Sequence, residues 1–81
     1  MVPSVKLRLF AAARVAAGTG TDEIDADDVA GVLAVAVARY GDDFAGVLAG
    51  SRVWRNGEPV ATDERVAAGD EIAVLPPVSG G

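Results

Sequence analysis

The chain contains no cysteine and no histidine. Those absences exclude disulfides, a thiol or imidazole nucleophile and any ordinary zinc site. They also remove the commonest proton-transfer groups near neutral pH. Aromatic residues make up only 5% of the 81 residues. The core must therefore be assembled from valine, leucine and alanine, and Phe10, Tyr40, Phe44 and Trp54 each call for an explanation. No apolar run approaches the length of a membrane span. The only early one is interrupted by Lys6 and Arg8, so no signal peptide or membrane partner is expected and the chain reads as cytoplasmic. Basic residues are scarce, and the net charge is −5. Such a chain repels phosphate backbones, which argues against nucleic acid and, from composition, for a protein partner with a basic surface.

What is present suits one small globular domain. Half the residues are hydrophobic, although a chain this short buries only about 60% of its unfolded surface. Val5 to Phe10 alternates as a half-buried strand, with Val5, Leu7 and Leu9 inward and Lys6, Arg8 and Phe10 outward. Ala11 to Ala17 reads as a short helical turn or loop ending at Gly18 and Gly20. Thr21 to Asp25 reads as a second strand. Asp27-Asp28 can cap a helix carrying Val29, Val32, Leu33, Ala36, Val37 and Tyr40, with Gly41 as its stop. Asp42-Asp43 is placed to cap a second short helix with Phe44, Val47 and Leu48. Arg52 to Arg55 reads as a strand, Asn56-Gly57 as a hairpin turn, and Pro59-Val60 as an extended edge segment. Thr62 to Val66 reads as a short turn or a single helical turn, with Asp63-Glu64 at a helix start in the second case, and Glu71 to Leu75 forms the last strand. The order predicts an α+β fold, a mixed sheet packed on one main helix.

Beyond that sheet, residues 76–81 read as a tail on a domain of residues 1–75. Pro76-Pro77 stiffens its root, because each ring fixes φ and favours an extended course. Glycine has no Cβ, so Gly80-Gly81 can thread a narrow channel. Taken as a carboxyl terminus, Gly81 offers an unhindered acyl group, and a flexible Gly-Gly end can reach away from its domain. Alternation also sets Ala73 and Leu75 opposite Ile72 and Val74, and Trp54 opposite Val53. If the outer faces coincide, Phe10, Trp54 and Leu75 form an exposed apolar patch beside the tail, as interfaces do. The competing reading makes Trp54 the largest core side chain. Arg8, Arg14, Arg52 and Arg55 are available to acidic groups on a partner, though solvated surface is the ordinary fate of such residues. The paired carboxylates are read as capping groups, not a metal site.

Leu9-Phe10-Ala11 with Arg14, Asn56-Gly57, Gly69-Asp70-Glu71 and Pro76-Pro77-Val78-Ser79-Gly80-Gly81 occur in an order that resembles the small, sulfur-carrying subunit of molybdopterin synthase, in the MoaD/ThiS group of ubiquitin-like proteins. The resemblance covers nearly the whole chain and implies a β-grasp fold. It implies that an E1-like adenylyltransferase adenylates Gly81, that a sulfur donor protein converts it to a thiocarboxylate, and that Gly80 provides clearance. Phe10, Trp54, Leu75, Pro76, Pro77 and Val78 would meet the large subunit, in an assembly of two copies of each. There the sulfur would pass to cyclic pyranopterin monophosphate, with catalytic side chains in the large subunit and not in this chain. No cofactor is expected here. ATP belongs to the activating partner, since Gly18-Thr19-Gly20-Thr21 is too short for a phosphate loop. Alternatives are a carrier for thiamine or cysteine biosynthesis, and a ubiquitin-like modifier joined to lysines through Gly81. Two departures from the family pattern stand out, Val15 in place of an acidic residue and Gly31 inside the main helix.

Overall fold

The computed structural model describes residues 2–77. Its elements follow in the order β1 (Ser4–Leu9), α1 (Ala11–Ala17), β2 (Thr21–Asp25), α2 (Val29–Tyr40), α3 (Asp42–Ala49), β3 (Arg52–Arg55), β4 (Glu58–Pro59) and β5 (Glu71–Leu75). One sheet has the strand order β2-β1-β5-β3-β4. Its central pair, β1 and β5, is parallel, and the other neighbours are antiparallel. This is the α+β, β-grasp architecture expected. The main helix α2 and the expected short helix α3 are joined by a third, because the alanine-rich segment closes into the seven-residue α1.

Alternation decides the two faces. Val5, Leu7 and Leu9 are buried, as are Ile24, Ile72 and Val74 from the neighbouring strands, and with Val29, Val32, Ala36 and Phe44 they make the core. Phe44 is the largest fully buried side chain, and Tyr40 meets its ring edge-on at a centroid distance of 5.3 Å, a favoured aromatic geometry. Trp54 is only half-buried and takes no part in the core cluster. The core-residue reading of Trp54 is therefore set aside.

Helix α2 starts where its amides find acceptors. The Asp28 carboxylate accepts from the Gly31 amide at 2.7 Å, while Val29 and Ala30 donate to the carbonyls of Glu64 and Thr62. Asp63-Glu64 thus starts no helix. It lies in a turn whose carbonyls, and not its carboxylates, cap α2 from a distance in sequence. Gly31 is explained by the same cap, since a Cβ there would lie 3.0 Å from the Asp28 oxygen and 3.2 Å from the Ala26 Cβ. In α3 the N-cap is Gly41, with no side-chain cap. Asp42 and Asp43 fall in the first turn, where their charge favours the helix dipole.

Candidate functional site

The carboxyl end of β5 is held between β1 and β3. Register pairs Arg8 with Ala73 and Ala73 with Trp54, and places Arg52 opposite Leu75. Paired residues share a face, so Arg8, Ala73, Trp54, Arg52 and Leu75 all lie on the sheet face turned away from the helices. Phe10 follows β1 level with Leu75. It is the N-cap of α1 with extended φ and ψ, and its side chain is 40% exposed. The expected patch of Phe10, Trp54 and Leu75 is thus brought together on one face. Ala73 fills its centre.

The chain leaves this patch through Pro76, half-buried, and Pro77, exposed. Val78, Gly80 and Gly81 lie outside the described residues. The turn between β1 and α1 adjoins this exit. There Ala11 has φ +50°, the left-handed region that costs a residue with a Cβ about 1–2 kcal/mol. The Arg8 guanidinium sits 5.9 Å from the Phe10 ring centroid and 3.3 Å from the Glu71 carboxylate. Arg14 packs along Gly20, where a Cβ would come within 3.3 Å of its Nε. This end has the materials of a docking surface, an apolar centre with arginines around it and the chain's exit beside it.

Asparagine and aspartate motifs at the opposite end have a structural role. Asn56 and Gly57 have φ of +51° and +84°, as a two-residue type I′ turn requires. The Asn56 amide side chain donates to Asp70 at 3.0 Å and accepts from the Glu71 amide at 2.9 Å. The other Asp70 oxygen accepts from the Ala67 amide. That bond, followed by the one from Asn56, holds the Asp70 carboxyl below its ordinary range. Asp22, on the helix-facing side of edge strand β2, accepts from the Tyr40 hydroxyl and, at 2.9 Å, from Arg39. The Tyr40 bond is the main cause of a lowered Asp22 carboxyl. Burial first, and then Asp22, push the Tyr40 phenol up to about 12. Both clusters join elements distant in sequence, and no local pattern announces them. Among the described residues no group of three or more metal-ligating side chains occurs, and no helix is long and apolar enough to cross a membrane.

Comparison with known proteins places this geometry. The model of the ThiS family matches residues 7–81. Small archaeal modifier protein 1 of Haloferax volcanii is 39% identical over 85 aligned residues, covering 91% of this chain and 97% of that protein. A crystal structure of that modifier superposes with a TM-score of 0.80 at 38% identity, over 96% of this chain and 99% of the other. A candidate subunit 1 of a molybdopterin converting factor from Pyrococcus furiosus superposes with a TM-score of 0.84 at 28% identity, over 94% and 99% of the two chains.

Proposed function

The chain belongs to the ThiS family of small ubiquitin-like sulfur carriers, and from that membership we propose that it is the sulfur-carrying small subunit of molybdopterin synthase. The observation that carries the proposal is the setting of the chain's exit. Central strand β5 delivers Leu75 and Pro76-Pro77 beside Phe10 and Trp54 on an open sheet face, and the sequence continues to Gly80-Gly81. Taken as the carboxyl terminus, Gly81 would offer an unhindered acyl group to whatever protein covers that face. The Pyrococcus furiosus likeness favours the molybdopterin branch.

The chemistry follows from the carboxylate. A free carboxylate is a poor electrophile, so Gly81 must first gain a leaving group. An E1-like adenylyltransferase supplies it from ATP, forming the acyl-adenylate and releasing pyrophosphate. Sulfide-level sulfur delivered by a donor protein then attacks the acyl carbon, AMP leaves, and a thiocarboxylate remains on Gly81. Gly80 gives the clearance needed in the active site of the large subunit. There the sulfur passes to cyclic pyranopterin monophosphate, and two such transfers build the dithiolene. This chain binds no cofactor of its own in the scheme. Pro76 and Pro77 limit the freedom lost when the tail inserts.

The test is intact-mass spectrometry after incubation with the adenylyltransferase, ATP and a sulfur donor. The expected result is the mass gain of one oxygen-to-sulfur exchange, absent when Gly81 is deleted, followed by dithiolene formation once the large subunit and the pterin substrate are added. A thiocarboxylate that yields no dithiolene with an active large subunit would move the chain to another sulfur pathway. The likeness to the Haloferax modifier favours a second reading, in which a lysine amine attacks the same acyl-adenylate. Conjugates carrying this chain on other proteins, without thiocarboxylate, would select it.

A further inference from the structure

Charge is sorted along the open face. Counting away from the exit, the first level holds Phe10, Leu75 and Arg52, and the second holds Arg8, Ala73 and Trp54 with Thr21 and Pro59 at the edges. Neither level contains a carboxylate. The acids of this face, Glu71, Glu23 and Asp25, begin at the level of Lys6 or lie beyond it. Arg14 adds a third guanidinium beside Phe10, across the depression bounded by Arg8, Phe10, Ala11 and Gly20. Arg14 and Arg52 are exposed and form no ion pair among the described residues. Arg8 is paired with Glu71 at 3.3 Å, so in a chain of net charge −5 the unpaired charge of the half next to the exit is the positive charge of Arg14 and Arg52. The charge beside the exit is thus opposite in sign to the net charge from which a basic partner is expected.

We propose that this half of the face docks a protein surface whose apolar centre is ringed by aspartate and glutamate. This rests on the sulfur-carrier reading only for the identity of the partners, the adenylyltransferase and the large subunit. An apolar centre with a polar rim is the anatomy of a protein–protein interface, which a free anion or a nucleic acid does not need. All three rim cations are arginines, whose planar guanidinium matches a carboxylate through two parallel hydrogen bonds. Arginine also stays protonated, so it offers no nucleophile to the activated glycine that passes between partners. The chain's single lysine, Lys6, sits in the more distant half.

The experiment measures association rates of the full chain with its adenylyltransferase and with its large subunit, each from the same genome, at about 0.1 M and about 1 M salt, where the screening length falls from ~10 Å to ~3 Å. The expected wild-type rate falls by roughly tenfold or more over that range. The double variant R14E/R52E starts slow at low salt, and R14K/R52K keeps most of the wild-type rate. The sign carries the test, because a basic partner would also bind more slowly in salt, yet would bind R14E/R52E faster than wild type. Faster or unchanged association of that variant overturns the proposal. So does a wild-type rate indifferent to salt, which decides alone if the double variant melts below the assay temperature. Thiocarboxylate formation is followed in parallel. Thiocarboxylate with salt-indifferent docking removes this inference and leaves the sulfur-carrier function. No association together with no thiocarboxylate removes both.

Discussion

Replacing Asn56 separates two contributions that the native turn combines. Its side chain makes two hydrogen bonds, to Asp70 at 3.0 Å and from the Glu71 amide at 2.9 Å, both at the surface. Solvent competes there, so each contributes about 0.5–1 kcal/mol. Its backbone sits at φ +51°, which asparagine tolerates and alanine adopts at a cost of about 1 kcal/mol. Asn56→Ala should therefore lose about 2–3 kcal/mol, a large share of the ~4–12 kcal/mol expected for a domain of this size. Asn56→Gly loses the same hydrogen bonds but not the backbone preference, so it should retain about 1 kcal/mol more than the alanine variant. Urea unfolding at constant m-value measures both. The lowered Asp70 carboxyl adds a pH signature. Its stabilisation is present above the unfolded-state value near 3.9 and is lost as pH falls through the folded value. Both variants should accordingly show a flatter acid limb. Equal losses in the two variants, or a loss below about 0.5 kcal/mol in alanine, would refute the reasoning. Thiocarboxylate formation at saturating partner should survive, because the turn lies at the end of the sheet opposite the exit.

Ala11→Gly should raise the melting temperature, since relief of the left-handed φ exceeds the added glycine entropy by up to about 1 kcal/mol; a lower melting temperature would contradict the strain. Gly31→Ala should bring none of the ~1 kcal/mol gain of an ordinary helix site, because its Cβ crowds the capping Asp28, and a full gain in urea unfolding would show that the cap yields. For Tyr40, raised to about 12, the stabilisation is complete below the unfolded-state value near 10 and is lost as pH climbs toward 12. Tyr40→Phe should flatten that alkaline limb, and it should shift the acid limb governed by Asp22, both read by thermal melts against pH. Trp54→Ala should leave urea unfolding within about 1 kcal/mol while weakening partner binding by roughly thirtyfold, the ~2 kcal/mol of an interface anchor; the reverse split would return Trp54 to the core.

Features carried by a short period or a fixed dipeptide were legible in the sequence. Val5, Leu7 and Leu9 announce β1 and its buried face, and Asn56-Gly57 announces its turn. The outward placement of Phe10, Trp54 and Leu75 followed from alternation, yet their meeting depends on β5 lying between β1 and β3, which no local pattern encodes. Features settled by distant partners were not legible. Ala11 to Ala17 lacks an amphipathic stripe that would separate a helix from a loop. The Asp28 cap of α2 was legible, but the amides of Val29 and Ala30 are capped by carbonyls more than thirty residues downstream, so the carboxylates of Asp63 and Glu64 misdirect the reader. Asp22, Arg39 and Tyr40 meet only through the fold. Val78, Gly80 and Gly81 were singled out by sequence and lie beyond the described residues, so their role rests on family membership and on the exit that precedes them.

The position of β5 also bears on how the domain withstands a pulling force. A pull at Pro77 runs along the strand axis, with β1 bonded on one side and β3 on the other. The flanking hydrogen bonds are then strained together in shear, whereas a pulled edge strand peels away one bond at a time. The domain should therefore resist traction at this end better than at the two-residue edge strand β4. A pull on the exit segment should leave the sheet behind it folded at loads that would strip β4 from its edge.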